Sequence, residues 1–414
     1  MRFRGFLRKD IIKRRDNSLN NSEKQKNDRY YMSMAVELAA RGGGYTHPNP
    51  LVGAVIVKNG RIIGKGYHEI YGSLHAERSA LASCAEDPAG SVIYVTLEPC
   101  CHYGKQPPCT RAIIDSGISK VVIGSRDPNP LVSGKGVSIL REAGIEVVTD
   151  FMREECDKLN PVFFKFINTG KPFVTMKYAM TADGKIATYS GKSKWITGAP
   201  ARRRVHLDRG LNTAIMVGIG TVLADDPELT CRDAEGLDPV RIICDTRLRT
   251  PLDAKVVQTA QKSADPQGDG SGTEITFDDC SRYPRTIIAT AVTDEEKLKP
   301  YRDQDVVILN VRTDADGHID LNELMTRLGE MKIDSIFLEG GAGLNWTALD
   351  SGIVDKVQTY IAPKIFGGRD AKTPVAGTGT EAPPDAVMLK NTTITTIGED
   401  ILLESEVCHV HGNH

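Results

Sequence analysis

The chain has no long apolar run. Nowhere in its 414 residues does a hydrophobic stretch approach the ~18 residues of a bilayer span, so no membrane partner is expected. It also lacks a charge excess: 52 Lys and Arg stand against 54 Asp and Glu. No positive field therefore supports a nucleic-acid partner. Aromatics are sparse, at 6% with two tryptophans, which argues further against a nucleic-acid face. No long internal repeat is present. The nine cysteines are odd in number, partly clustered with histidine, and follow no secretory leader. That combination favours a reducing cytosol, hence a cytoplasmic protein, over a disulfide framework.

The length predicts two or three domains. Residues 1–28 are basic and polar around Lys13-Arg14-Arg15. A transit peptide is also basic and acid-poor, but Asp10, Asp16 and Glu23 interrupt this stretch and no amphipathic pattern is sustained. A flexible extension is the expectation. Asp28 then caps a helix to about Ala40, ended by Gly42-Gly43-Gly44. Leu51–Val57 reads as a strand, Asn59-Gly60 as a hairpin turn, and Ile62, Ile63 and Tyr67 mark the return strand. Further strands are expected at Val92–Val95, Val121–Gly124 and Ile145–Val148, with helices opened by His75, capped by Thr110, and over Val137–Ala143. This order predicts a mixed sheet covered by helices over 29–150. A helical linker over 151–171 and a second α/β domain over 172–414 follow, the latter interrupted by a polar, glycine-rich surface insertion at 258–284. Its strands are expected at Phe173–Tyr178, Ala214–Val217, Val240–Cys244, Thr286–Thr290, Val306–Val311, Ile336–Leu338 and Val357–Ile361. Its helices are expected near Ala199–Arg209, Leu321–Met331 and Leu344–Ser351.

One constellation carries chemistry in the first half. His75-Ala76-Glu77 opens a helix; Pro99-Cys100 and Cys109 follow. One imidazole and two thiolates hold a single zinc ion and leave a coordination position open. Glu77, on the first helical turn and expected to be exposed there with His75, stands beside it as a proton shuttle. Cys101 or His102 as a fourth ligand would instead close the site. The chemistry is that of hydrolytic deamination, His-x-Glu with a later Pro-Cys. Here, however, eight residues separate the two cysteines where nucleic-acid-editing deaminases carry two.

Three clusters mark the second half: Met180–Ala187 with Ser193–Thr197; Val217–Pro227 with Leu229-Thr230; and Leu338–Trp346. The last is a strand running into Gly340-Gly341-Ala342-Gly343 and a helix. Small residues there let backbone amides approach a phosphate. It is not the Gly-x-Gly-x-x-Gly dinucleotide fingerprint. The C-terminal Cys408–His414 is rich in metal-binding side chains but reads as a frayed end.

Asn49–Val55, His75-Ala76-Glu77 and Thr96–Cys109 resemble the riboflavin-biosynthesis branch of the cytidine-deaminase-like family, which carries the longer inter-cysteine loop. Residues 172–405 resemble that pathway's reductase domain, whose fold is like dihydrofolate reductase. Together they resemble the family of bifunctional riboflavin-biosynthesis deaminase/reductases. The resemblance implies an α/β chain of two domains: a cytidine-deaminase-like mixed sheet with flanking helices, then a dihydrofolate-reductase-like sheet with flanking helices. It implies one Zn2+ per chain on His75, Cys100 and Cys109, with Glu77 catalytic, and NADPH as the second cofactor. The substrate implied is a small-molecule phosphoribosylaminopyrimidine, deaminated and then reduced from ribosyl to ribityl. By the same resemblance Asn49, His102 and Lys105 contact substrate in the first domain. In the second, Ser193, Arg209, Leu229, Arg232 and Glu339 face substrate. Ala179, Trp195, Thr221, Asp225, Thr246, Gly341, Ala342, Gly343, Leu344, Asn345 and Trp346 line the cofactor. Arg209 and Arg232 suit a 5′-phosphate, and Asp225 is the candidate for proton handling. The family also implies a homo-oligomer. Two other readings compete: a nucleic-acid or nucleoside deaminase with an accessory domain, which needs a basic aromatic face, and a zinc-stabilised binding protein with degenerate sites, against which the intact His75, Glu77, Cys100 and Cys109 set weighs.

Overall fold

The computed structural model describes residues 28–103, 106–129, 132–232, 237–260 and 285–408. The basic extension before Asp28, Lys105, most of the 258–284 insertion and the tail after Cys408 lie outside the described residues. The chain divides into two compact units between Thr169 and Gly170. Among the described residues no helix is long and apolar enough to cross a membrane.

The first unit is a five-stranded sheet between two helical layers. Its strands are β1 (Gly53–Lys58), β2 (Arg61–Tyr67), β3 (Val92–Leu97), β4 (Lys120–Ser125) and β5 (Glu146–Val148), in the order β2-β1-β3-β4-β5. Strands β1 and β2 form the expected hairpin. Asn59 and Gly60 both take positive φ (50° and 74°), the conformation for which Asn-Gly is selected in a tight two-residue turn. β1 is antiparallel to β3, and β3, β4 and β5 run parallel. Alternation along each strand feeds two cores. Ala54, Ile56, Ile93, Val95, Val121 and Ile123 pack against α2 (Ala76–Ala82), α3 (Cys109–Asp115) and α4 (Lys135–Glu142). Val55, Val57, Tyr94 and Val122 pack against α1 (Asp28–Ala39) and α5 (Arg153–Asp157). Helix α6 (Pro161–Thr169) ends the unit. Glycines on β2 let α2 lie flush: a Cβ on Gly66 would stand 2.2 Å from the Ala80 nitrogen and 2.6 Å from the Ala76 carbonyl.

The second unit is a nine-stranded sheet. β6 (Phe173–Thr181), β7 (Ala214–Gly218), β8 (Val240–Cys244), β9 (Thr286–Thr290), β10 (Val307–Asn310), β11 (Ser335–Leu338) and β12 (Lys356–Ala362) are joined by the hairpin β13 (Leu389–Ile397) and β14 (Asp400–Val407). The order is β10-β9-β8-β7-β11-β6-β12-β14-β13, parallel except at β14 and β13. Helices α7 (Ala199–Gly210), α8 (Ile219–Asp225), α9 (Lys255–Gln258) and α10 (Glu295–Arg302) contribute to one face, where Val205 meets Phe337 and Tyr360 while Val222, Val256 and Tyr301 meet Ile215, Ile243 and Ile288. Helices α11 (Leu321–Glu330) and α12 (Ala342–Asp350) cover the other, where Leu324, Leu328 and Ala348 meet Met216, Ile242 and Leu338.

One expectation needs correction. Helix α3 is capped at Pro108, not Thr110, which is buried inside it. The hairpin β13–β14 was not foreseen. Helix α8 starts at Ile219, with Gly218 as its N-cap.

Candidate active sites in the two units

In the first unit two helix N-termini converge. His75 is the N-cap residue of α2 and Cys109 the first residue of α3, and neither start has a side-chain cap. The His75 Nδ1 lies 3.5 Å from Cys100 Sγ and 3.4 Å from Cys109 Sγ. A tetrahedron with Zn–N of about 2.0 Å and Zn–S of about 2.3 Å has an N···S edge of about 3.5 Å, so this donor set fits zinc. Among the described residues no other histidine, cysteine or carboxylate joins the group. A closed four-ligand site thus gets no support from Cys101 or His102. The backbone N–H of Cys109 donates to Cys100 Sγ at 3.3 Å. The Cys100 thiol is pulled down to about 4, chiefly by the hydrogen bond from Cys109 and further by that from His75, and Cys109 is pushed up in return. Two thiols this close share one proton until a cation replaces it.

Glu77 is not exposed, as its place in the first turn had implied; it is only 3% accessible. Burial, reinforced by the neighbouring Cys100 charge, pushes its carboxyl up to about 7. Behind the ligands, Glu98 accepts hydrogen bonds from the N–H groups of Gly134 and Val137 at the start of α4. That contact fixes the strand end carrying Pro99-Cys100. Asn49 does reach the site. Its Nδ2 lies 3.1 Å from Nε2 of His68, whose ring meets that of His75 at 5.4 Å between centroids. His68, whose Nδ1 faces the Leu74 carbonyl, was missed by sequence reasoning; an isolated buried histidine just past the end of a return strand carries no motif. His102 is half-buried, with Nδ1 lacking a hydrogen-bond partner among the described residues.

In the second unit the topology makes the site. Neighbouring strands β7 and β11 are followed by α8 on one face and α12 on the other. A crevice opens at the carboxyl ends of strands whose connections diverge in this way, and ligands bind there. Its lips are Gly218–Thr221 and Glu339–Leu344. A Cβ on Gly341 would start 3.7 Å from the Thr221 hydroxyl, and one on Gly218 3.7 Å from Leu344. Both glycines keep the floor clear. The start of α12 has no side-chain cap, so its first-turn amides suit a phosphate. The uncapped start of α12 and the small residues around it suit a phosphate-bearing cofactor such as NADPH.

Beside it, Lys177 on β6, Arg209 on α7 and Glu339 after β11 form a nearly buried triad. Arg209 Nε is 2.6 Å and Lys177 Nζ 3.4 Å from the Glu339 carboxylate. Burial alone would raise the Glu339 carboxyl; the Arg209 and Lys177 charges overturn that and hold it at about 2. Arg209 also donates to the Thr230 carbonyl, so it is already paired where the sequence suggested a free phosphate clamp. Arg232 is half-exposed and 3.7 Å from Glu228. Trp195 is 60% exposed, under the Arg202 guanidinium at 4.5 Å from its ring centroid, with half-buried Ser193 on the same loop. Asp225 ends α8, 3.6 Å from Lys194. Ala179 lies on β6, partly buried against the core, and the Thr246 carbonyl accepts from the Ala291 N–H.

Two sequence-derived contacts turn inward. The Leu229 side chain is buried in the core, because its apolar surface packs there, so only its backbone is left to face a ligand. Asn345 is buried and donates to the Pro374 carbonyl, holding the turn from beneath. Trp346 is packed so closely that a Cβ on Gly377 would collide with its ring. Gly341, Ala342, Gly343 and Leu344 remain at the crevice.

Comparison with known proteins shows the family of both units. Residues 25–125 match the cytidine and deoxycytidylate deaminase zinc-binding region, and residues 172–403 match the RibD C-terminal domain. The riboflavin biosynthesis protein RibD of Actinobacillus pleuropneumoniae is 52% identical over 384 residues, covering 93% of this chain and 96% of the relative. That of Escherichia coli strain K12 is 39% identical, covering 91% and 98%. Among solved structures, Acinetobacter baumannii RibD (form 1) has a TM-score of 0.79 at 34% identity and covers 94% of this chain and 99% of its own. The Thermotoga maritima diaminohydroxyphosphoribosylaminopyrimidine deaminase/5-amino-6-(5-phosphoribosylamino)uracil reductase has a TM-score of 0.76 at 37% identity, covering 94% and 100%.

Proposed function

The chain belongs to the RibD family of bifunctional riboflavin-biosynthesis enzymes, a zinc deaminase joined to an NADPH-dependent reductase, and from that premise we propose how its own residues carry the two reactions. His75, Cys100 and Cys109 would hold the zinc. When bound, zinc supplies the Lewis acidity that brings a water's pKa toward neutrality. Glu77 is the proton shuttle. A carboxyl poised at about 7 both accepts and returns a proton near neutral pH, which is the requirement for a group that takes the two protons of the attacking water in turn, passing one to the ring nitrogen and the other to the amino group that leaves as ammonia. Asn49 and His68 orient the pyrimidine, and His102 and Lys105 contact the rest of the diaminopyrimidinone ribosylamino phosphate. The observation that carries this reading is the buried Glu77 beside a three-donor group with no fourth protein ligand among the described residues.

In the second unit NADPH, when bound, supplies the hydride that reduces ribosyl to ribityl. The α12 amides and Thr221 would hold its phosphates. Lys177 and Arg209, two cations against one carboxylate, leave a net positive charge for the phosphorylated substrate, and Glu339 keeps both in place. Ser193, Arg232 and the Leu229 backbone border the substrate; Ala179, Trp195, Asp225 and Thr246 border the cofactor. The two domains meet within 151–171. We also propose a cytoplasmic homo-oligomer that binds no nucleic acid. In support, the nine-residue β13 is an edge strand with Leu389 and Ile394 exposed, and such an edge is ordinarily covered. Light scattering on the purified protein tests this; a monomer rejects it.

The direct test of function supplies the diaminopyrimidinone phosphate with and without NADPH and follows ammonia and nucleotide oxidation separately. Ammonia is expected without NADPH, and oxidation only after deamination. Absence of both rejects the assignment of these sites.

A further inference from the structure

We infer that Tyr360 is a positioning residue of the reductase: its ring face holds the Lys177 ammonium toward the crevice, where that cation meets the substrate phosphate. The inference rests on the role proposed above for Lys177. Lys177 stands on β6, between β11 and β12. Glu339, just after β11, approaches it from one side and Tyr360 of β12 from the other. Lys177 is paired with Gln358 and Ala179 with Tyr360, so Lys177 and Tyr360 share one face of the sheet. They are diagonal neighbours, within reach of a long side chain and an aromatic ring. Because β6 and β12 run parallel, Tyr360 stands two residues nearer the carboxyl ends of the strands, where the crevice opens. The Lys177 Nζ lies over its ring, 5.9 Å from the centroid.

The carboxylate alone does not fix this ammonium. Arg209 binds Glu339 at 2.6 Å, whereas Lys177 reaches it only at 3.4 Å. Among the described residues no second carboxylate lies within ion-pair distance of Lys177. On a flexible four-carbon stem, one long contact leaves the head free to swing. An aromatic face attracts a cation through the ring quadrupole, most strongly where water is excluded. The ring itself cannot turn away. It is fully buried in a cluster with Val205, Phe337, Ile397 and Leu402. Its hydroxyl donates to Asp208 Oδ2 at 3.4 Å, and Arg204 Nε holds Asp208 Oδ1 at 2.9 Å. Asp208 and Arg209 are consecutive on α7. The turn of helix that supplies one triad cation therefore also fixes the ring that places the other.

Steady-state reduction of the deaminated phosphate substrate by the zinc-loaded full chain tests this. Tyr360→Phe keeps the aromatic face and loses the hydroxyl. Its substrate KM should stay within about threefold of the wild type, although its urea unfolding midpoint falls because buried Asp208 loses a donor. Placing 3,4,5-trifluorophenylalanine at position 360 keeps the ring but cancels its negative face. Substrate KM should then rise on the order of 10-fold above that of Tyr360→Phe, with kcat and the KM for NADPH unchanged. Lys177→Met should raise substrate KM at least as far, and in that background the fluorinated ring should add nothing. A merely structural role for the ring would move the midpoint without separating the two rings in KM. Equal KM for the two rings overturns the inference, and so does a fluorine effect that persists without Lys177. A Lys177→Met enzyme with the wild-type KM rejects the substrate role of Lys177 and the inference with it, a different result from a Lys177 that matters beside a ring that does not.

Discussion

Glu77 and Glu339 are both buried carboxyls, and their surroundings drive them in opposite directions. Glu77 is raised to about 7 by burial beside Cys100, whereas Glu339 is held at about 2 because Arg209 and Lys177 outweigh its burial. The first suits proton traffic and the second a fixed charge. Replacing Glu77 by Gln should leave one zinc per chain, measured by elemental analysis, while ammonia release falls by about 10²- to 10⁴-fold. A wild-type rate would remove Glu77 from the mechanism. For Glu339 the consequence is in stability. Its folded pKa lies below its ordinary 4.5, so the unfolded chain binds the extra proton in that window. Its contribution is complete above about pH 4.5 and is lost as pH falls toward about 2. Between about pH 5 and pH 3 the wild type should therefore lose about 2 kcal/mol more than Glu339→Gln, a comparison made by urea unfolding across that range. Parallel pH profiles would contradict the pairing.

At the scale of elements, what the sequence revealed followed the length of each local signal. The hairpin at Asn59-Gly60 and the helix after His75 were readable because turn residues and apolar runs adjoin there. Strand β13 was not: it is exposed on both faces for most of its length, so no buried alternation marked it. Helix α10 carries Pro300 and buries only Leu298 and Tyr301, too few for a visible stripe. The zinc donors were legible because His75 and Glu77 share one turn. The triad was not, since Lys177, Arg209 and Glu339 meet only once β6 lies beside β11. A glycine motif suggested a phosphate turn at α12, but the crevice depends on strand order, which no local pattern specifies. The seating of α2 offers a sharp test. At Gly66 a methyl would collide with the backbone of α2, so Gly66→Ala should cost about 3 kcal/mol, the upper end of ordinary overpacking. Because α2 carries His75, zinc content should fall with it. Full zinc loading and an unchanged unfolding midpoint would show that the helix has room to move.

The whole molecule joins two chemistries in two units that each complete their own core and site. The zinc donors, Glu77, Asn49 and His68 all lie before Thr169; the crevice and the triad both lie after Gly170. Neither set draws a described residue from the other unit. Stripping zinc with a chelator should therefore abolish ammonia release, while reduction of separately supplied deaminated substrate by NADPH continues within about twofold of the untreated rate. The same treatment should lower the unfolding temperature of the first unit alone, since without the cation Cys100 and Cys109 return to sharing a proton in a buried pair. Tryptophan fluorescence isolates the second unit, because Trp195 and Trp346 are the chain's two tryptophans, so its unfolding transition should not move. If chelation instead slows the reduction step or shifts the tryptophan transition, the units are energetically coupled and the metal supports both reactions.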